Sequence, residues 1–339
     1  LGVFLRTFVV GIVILLPDNQ KELILNFFTK WFSIIILVSL IGWILVKIGL
    51  KLPYGYCSFG DTVDSHKNYF IFLEINNTLF MQDWRFMSIF SEPGYLAMIS
   101  CLLLFINGFD FRDRSVLVIF LGGVLASFSF AGYALFIVGF MMSGLLGTEM
   151  WKKSVSWLIF LISVVLFVIA NSKVEDSRGG IIANLVLSRL RLSNGSVAAW
   201  NRFSSSLNEF FIEFMTSDHR FLGIGFNAYQ ELFKGTQNAG YKVFIVCYGI
   251  IGVLLLVLFY MSLLIYRFNR YSLALLILYG ISFIQRSYAT WDVEVILFII
   301  ALPRLETKFL SRCQNTPALE CLNSGSDRGY AELWNLDHS

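Results

Sequence analysis

Four arginines, Arg178, Arg189, Arg191 and Arg202, fall between residues 178 and 208 with no acidic residue and no lysine among them. A guanidinium presents a planar fork that pairs with phosphate oxygens two at a time, whereas an ammonium is a point charge. An all-arginine patch therefore suits a diphosphate, although a solvated basic face or attraction to anionic lipid fits charge patterning alone equally well. The stretch around it is nearly neutral, because Glu175, Asp176, Glu209, Glu213, Asp218 and Glu231 balance most of its basic residues. Segregation of charge, rather than excess of it, is what needs explaining. A second group is Glu92 in Ser91-Glu92-Pro93-Gly94-Tyr95-Leu96-Ala97. Proline in a first helical turn loses no hydrogen bond and an acid there is favoured by the helix dipole, which accounts for Glu92 without any function. A carboxylate facing an arginine-rich loop can also orient a hydroxyl or pair with one of the arginines. His219, in Ser217-Asp218-His219-Arg220 ahead of Gly223-Ile224-Gly225, is of the type that serves as general base near neutral pH, though lone loop histidines are more often inert. Asp61 and Asp64 lack a supporting cluster and His66, His219 and His338 are scattered, so no metal site and no cofactor are expected.

The elements that must position these groups are apolar. Of 339 residues, 57% are hydrophobic and 14% charged, and the mean hydropathy is +0.70. An ordinary soluble protein is roughly a quarter charged. A water-soluble globule is excluded on that ground, and an all-α, polytopic integral membrane bundle is expected. A net charge of +3 is too small and too dispersed for a nucleic-acid partner. Five cysteines without a CxxC give no disulfide framework. The chain opens on Leu1 within an apolar stretch, with no charged segment or small-residue cleavage site ahead of it, and one or more further helices are expected upstream.

Apolar runs of spanning or near-spanning length occur at about 3–17, 31–50, 94–109, 115–130, 131–147, 155–170, 241–264, 272–286 and 291–303. Cytoplasmic connections are enriched in Lys and Arg. Placing Lys21, Lys30, Arg112, Arg114, Lys152, Lys153, Arg267, Arg270, Arg304, Lys308 and Arg312 inside gives an alternation that holds across all nine runs. A membrane domain over residues 1–303 then carries two long outer loops, about 51–92 and 171–240, followed by a polar cytoplasmic tail, 304–339. In the second loop Trp200, Phe203, Leu207, Phe210, Phe211 and Phe214 recur at helical spacing on one face, while Arg202, Ser206, Glu209 and Glu213 share the other. This predicts an amphipathic helix over 198–215, lying on the outer membrane surface or over the bundle, in a large and partly helical loop.

Several of these segments, taken in order, resemble a known family. Phe90-Ser91-Glu92-Pro93-Gly94-Tyr95-Leu96-Ala97 is similar to the Glu-Pro-Gly motif of O-antigen polymerases of the Wzy type, and Ala126-Ser127-Phe128-Ser129-Phe130-Ala131-Gly132-Tyr133 to the serine-rich turn that follows it there. Asn201-Arg202 through Gly223-Ile224-Gly225 resembles that family's arginine-to-GxG loop core, and Asn238 through Tyr248-Gly249-Ile250-Ile251-Gly252 the start of the next helix. The resemblance covers roughly residues 85–300. It departs at Gln237-Asn238, where related ligases and some polymerases have a histidine before the asparagine, and this weakens a ligase reading.

The resemblance implies a metal-independent glycosyltransferase of the bacterial inner membrane, multi-pass, with its site facing the periplasm. Its substrate would be oligosaccharide linked to undecaprenyl diphosphate, its other partners membrane lipids and a separate chain-length regulator. A hydroxyl of one repeat unit would attack the anomeric carbon of another, expelling a lipid diphosphate whose developing charge needs preorganised donors. On this reading Arg202 and Arg191 stabilise that charge, and His219 or Glu92 removes or orients the hydroxyl proton. Arg178, Arg189, Arg220 and Asn238 would contact diphosphate or glycan. Two alternatives stay open. One is an O-antigen ligase, which differs in acceptor. The other is a flippase for the same lipid-linked sugar, for which charge within the spans is expected, whereas these runs are almost free of it.

Overall fold

Helices form where apolar runs meet good start signals. In the computed structural model, residues 2–58, 65–76, 84–109, 114–147, 155, 192–193, 196–197, 205–233, 240–286 and 290–313 are described. They comprise α1 (Gly2–Leu15), α2 (Asp18–Lys47), β1 (Gly55–Ser58), β2 (Ser65–Asn68), β3 (Leu73–Ile75), α3 (Pro93–Ile106), α4 (Arg114–Ala126) and α5 (Phe130–Leu146). Then follow β4 (Leu192–Ser193), β5 (Ser196–Val197), α6 (Ser205–Thr216), α7 (Phe226–Leu232), α8 (Tyr241–Leu264), α9 (Arg270–Gln285) and α10 (Asp292–Cys313). The protein is mostly helical. Two helices, Asp18–Lys47 and Tyr241–Arg267, are long and apolar enough to cross a membrane, and four shorter apolar ones lie between and after them.

Local sequence explains the boundaries. Pro93 opens α3 behind an extended Glu92. The Ser129 hydroxyl accepts from the Gly132 N–H to cap α5, and Asn269 and Ser272 form a reciprocal capping box at the start of α9. Two expected limits are corrected. α2 starts at Asp18 rather than 31, because Pro17 and Asp18 make a favourable helix start and no breaker follows. α10 runs through Pro303 to Cys313, so the expected tail boundary at 304 falls within a helix. Arg304 and Lys308 hold that last part against Asn26, Asn107 and the Ile106 carbonyl. The run at 155–170 lies outside the described residues beyond Val155, as does the tail beyond 313.

The all-α expectation is also corrected in the first long loop. Strands β1, β2 and β3 form an antiparallel meander, pairing Cys57 with His66 and His66 with Ile75, and β4 and β5 add a short two-stranded ladder. The meander is fastened to the end of α2. Lys47 pairs with Glu74, the Tyr69 hydroxyl donates to Glu74 Oε2 at 3.0 Å, and Ser39 Oγ donates to the Ile71 carbonyl at 2.6 Å. These tertiary bonds override strands too short to announce themselves by alternation.

Helix α3 is the centre of the core: every one of its side chains is buried, against α4, α5, α9 and α10. At one end Arg267 pairs with Asp18 and Glu306, Arg304 Nη1 donates to Asn107 Oδ1 at 2.8 Å, and Lys21 Nζ donates to the Ile14 carbonyl at 2.9 Å. At the other end lie Glu92, the turn between α4 and α5, and the sheet. Between them α2 and α8 expose large apolar side chains, among them Leu37, Ile41, Leu254 and Leu258.

Candidate functional site

At the Glu92 end, Glu92 receives a hydrogen bond from Arg286 Nη1 at 2.6 Å, joining the start of α3 to the residue that follows α9. The two side chains are 34% and 28% exposed, so the pair is neither dry nor fully screened. Arg286 leaves α9 in extended conformation, and its Nε is buried without a hydrogen-bond partner. One turn along α3, Tyr95 meets Trp291 edge-on at 4.7 Å and Phe90 at 4.9 Å. One partner of Glu92 is thus Arg286, a residue outside the arginine-rich stretch.

The serine-rich turn is structural in its contacts. Ser127 Oγ donates to the Val124 carbonyl at 2.6 Å and Ser129 caps α5. Buried Arg85 donates to the Ser127 carbonyl at 3.3 Å, tying the segment before Glu92 to this turn. A Cβ on Gly132 would sit 2.4 Å from that of Ala97, so the small residues of both motifs are what let α3 and α5 touch.

The second part of the site is a loop laid into a broken helix. Gly249 in α8 has φ 68 and ψ −176, which interrupts the helical ladder. The loop after His219 fills the break. Ile224 and Gly225 N–H donate to the carbonyls of Val246 and Cys247 at 2.9 and 3.0 Å, and Ile251 N–H donates to the Phe221 carbonyl at 3.1 Å. A Cβ at Gly249 would lie 2.1 Å from the Phe221 oxygen, and one at Gly223 would lie 2.4 Å from that of Cys247. Both glycines have positive φ, so neither a side chain nor its usual backbone fits. The GxG segment and the Gly249 segment, distant in sequence, are one interlocked unit.

Helix α6 is amphipathic over its described residues, as its periodicity predicts, and its apolar face covers this unit. Leu207 and Phe214 are buried, Phe210 meets Phe233 at 5.4 Å, and Lys242 Nζ donates to Asn208 Oδ1 at 2.7 Å. Ser206, Glu209 and Glu213 face outward. The helix lies over α7 and α8. Phe244 of α8 then meets Phe283 of α9 at 5.2 Å, which places the unit beside the end of α9 that carries Arg286.

The structure brings together only some of the expected site residues. His219 and Arg220 sit in a single turn, Asp218–Arg220, immediately before the docked loop. His219 is exposed, its main-chain carbonyl accepting from Gly223 N–H at 2.7 Å. The Arg220 guanidinium lies 4.8 Å from the centre of the Phe221 ring and donates to the Met215 carbonyl at 3.4 Å. Arg178, Arg189, Arg191, Arg202 and Asn238 lie outside the described residues, as do Asp61 and Asp64. Among the described residues no three His, Cys, Asp or Glu side chains gather into a candidate metal site.

Sequence reasoning missed two charged residues here. Arg286 ends an apolar run and reads as an interfacial cation. Glu294 falls inside the run 291–303, yet its side chain is fully buried and neither carboxyl oxygen makes a hydrogen bond. An acid within an apolar run was the signal available for it. What the arrangement offers chemically is a half-buried carboxylate held by a guanidinium, beside a rigid loop that presents an imidazole and a second guanidinium. Comparison with family models, curated proteins and solved structures finds no match to the chain.

Proposed function

We propose that the chain is a polytopic membrane glycosyltransferase of the bacterial inner membrane, with its site on the periplasmic face. It polymerises oligosaccharide repeat units carried on undecaprenyl diphosphate into O-antigen or a related surface polysaccharide. The observation that carries the reading is the docking of 221–225 into the break at Gly249. Two of the segments that carry the family resemblance form one unit, beside the Glu92–Arg286 pair where a third begins. Broken helices stay stable at membrane depth only when other protein satisfies the freed backbone, and they mark substrate sites in membrane proteins. The apolar side chains exposed along α2 and α8, between two polar ends, support a lipid-facing surface.

Within this reading the donor is a growing glycan on the lipid diphosphate and the acceptor a single lipid-linked unit. The acceptor hydroxyl attacks the anomeric carbon, the glycosyl–oxygen bond to diphosphate breaks, and the hydroxyl proton leaves to His219 or Glu92. Arg202, with Arg191 behind it, neutralises charge building on the diphosphate, while Arg178, Arg189, Arg220 and Asn238 hold diphosphate or glycan. Diphosphate is already a competent leaving group, so positioning supplies much of the rate. Arg286 joins this set as the residue that holds Glu92 in place.

The test is the ladder of surface polysaccharide from a strain lacking the gene, complemented with wild type or with Arg202→Ala. Wild type restores the ladder and Arg202→Ala leaves single repeat units at unchanged protein level. A near-normal ladder in that variant removes Arg202 from the site, and Phe210→Tyr, on the packed face of α6, is mild by comparison. A second reading, a transporter of the same lipid-linked sugar, is favoured by one observation, the buried Glu294 in an apolar helix. It predicts repeat units trapped on the cytoplasmic side in the gene-less strain, rather than single units at the surface.

A further inference from the structure

Glu294 occupies the first turn of α10, is 0% exposed, and has no hydrogen-bond partner on either carboxyl oxygen. Its surroundings are named side chains on three other helices. Tyr95 of α3, Tyr260 of α8 and Tyr279 of α9 are all buried and within electrostatic reach of the carboxyl. The Tyr279 hydroxyl donates to the Glu294 main-chain carbonyl at 2.9 Å. Phe298 closes the lower side, edge-on to Tyr260 at 4.8 Å and to Tyr279 at 5.0 Å.

Among the described residues no cationic side chain pairs with Glu294. Arg286 is engaged with Glu92, and Asp292 on the same turn adds a like charge near Tyr95. On α2, which also packs along α10, Asp18, Lys21, Glu22 and Lys30 belong to its first half, toward the Arg267 end, and Lys47 is tied to Glu74. A bare carboxylate in such a setting is strongly disfavoured unless a counter-charge sits on it. Among the described residues no side chain serves that purpose, and the buried polar side chains on the neighbouring helices are the neutral phenols of Tyr95, Tyr260 and Tyr279, whose oxygen is the ligand type that hard cations accept.

We propose that Glu294 is an exchange site for a small monovalent cation, a proton or a sodium ion, within the apolar core. The occupant reaches it from the Glu92 end. Trp291, one turn before Glu294, is 43% exposed and meets edge-on the ring of Tyr95, which is buried on the neighbouring α3. Exchange of sodium consists of the ion leaving the carboxylate for water and another taking its place; exchange of a proton breaks the carboxyl O–H bond, the proton passing to water, and a proton from water re-forms it. The inference does not depend on the polymerase reading.

The experiment is modification of the purified full-length protein with dicyclohexylcarbodiimide, which reacts with a proton-bearing carboxyl in apolar surroundings. Labelling of the peptide that holds Glu294 is followed by mass spectrometry in choline chloride, from about pH 6 to about pH 9. The site predicts labelling that falls roughly tenfold per pH unit once the proton is lost. A proton site is then indifferent to sodium chloride replacing choline chloride, whereas a sodium site is protected by it at constant pH. A second measurement covers poor access of the reagent: the melting temperature of wild type depends on pH or sodium, and that of Glu294→Gln does not. Labelling indifferent to both pH and sodium means a fixed structural acid and overturns the proposal. So does absence of labelling together with identical melting profiles for wild type and Glu294→Gln.

Discussion

The two polar ends of the helical bundle differ in what some of their cations are left to do. At the Arg267 end four cations are tied to the fold: Arg267 bonds two acids, Arg304 two asparagines, and Lys21 and Lys308 each a helix-terminal carbonyl. Such bonds satisfy backbone and side-chain groups that would otherwise be stranded where helices end. At the Glu92 end Arg286 makes one described bond and leaves Nε unpartnered, Arg220 makes only a long one, and His219 points to solvent. Groups with spare hydrogen-bonding capacity on a rigid frame are what a substrate can use; saturated groups are not. The difference separates positions that hold the protein together from positions left available to the proposed substrate.

Breaking the frame at the Glu92 end should have the largest effect. Gly249→Ala puts a Cβ into the Phe221 carbonyl and forces a backbone region that is nearly glycine-only, costing about 1–3 kcal/mol before the clash is counted. Polymer formation should vanish and the melting temperature fall. Gly280→Ala, which meets nothing within 4 Å in α9, should leave both unchanged. Equal damage from the two would mean that the docked loop has no special place in the molecule.

Removing a group without touching the frame comes next. Arg286→Ala should lower polymer yield at least tenfold with little loss of protein, and Arg286→Lys should restore part of it by keeping a charge beside Glu92. The matched change at the other end, Arg267→Ala, should cost about 1 kcal/mol of stability after solvent screening, yet leave polymer yield per folded molecule at the wild-type level. If Arg267→Ala abolished synthesis while Arg286→Ala did not, the comparison between the ends would be reversed.

The smallest effect concerns the sheet that closes the Glu92 end. Burial, with the Glu74 charge adding to it, pushes the Tyr69 phenol well above its ordinary value. A group whose folded pKa is raised contributes stability that is complete below its unfolded value, about 10, and is lost as the pH rises through the folded one. Melting temperatures measured in the alkaline range should therefore fall more steeply for wild type than for Tyr69→Phe, by a degree or so at most.

How much of this was legible depended on the length of the pattern. Long apolar runs and the recurrence Leu207, Phe210, Phe211, Phe214 give helices and the packed face of α6, because burial repeats every turn and a few mistakes do not hide it. The glycine motifs were visible as residue types, but their docking was not. Gly223 and Gly249 meet only through tertiary structure, and nothing local says that a loop enters a helix. The meander was illegible because Ser65–Asn68 and Leu73–Ile75 are too short to alternate, and their bonds run to Ser39, Lys47 and Ser88. Glu92 was weighed as a possible half of an ion pair, whereas Arg286, far along the chain, had no pattern to join it to Glu92. Glu294 was overlooked because one acid hardly alters the hydropathy of its run.

The most direct test of the central claim uses the purified chain in liposomes, supplied with lipid-linked repeat units and no other protein. A polymerase converts them to a ladder of products and releases one undecaprenyl diphosphate for each linkage formed, and Arg202→Ala, inserted equally well, does neither. Repeat units that are unchanged in covalent structure but moved across the bilayer would contradict the account and establish a transporter.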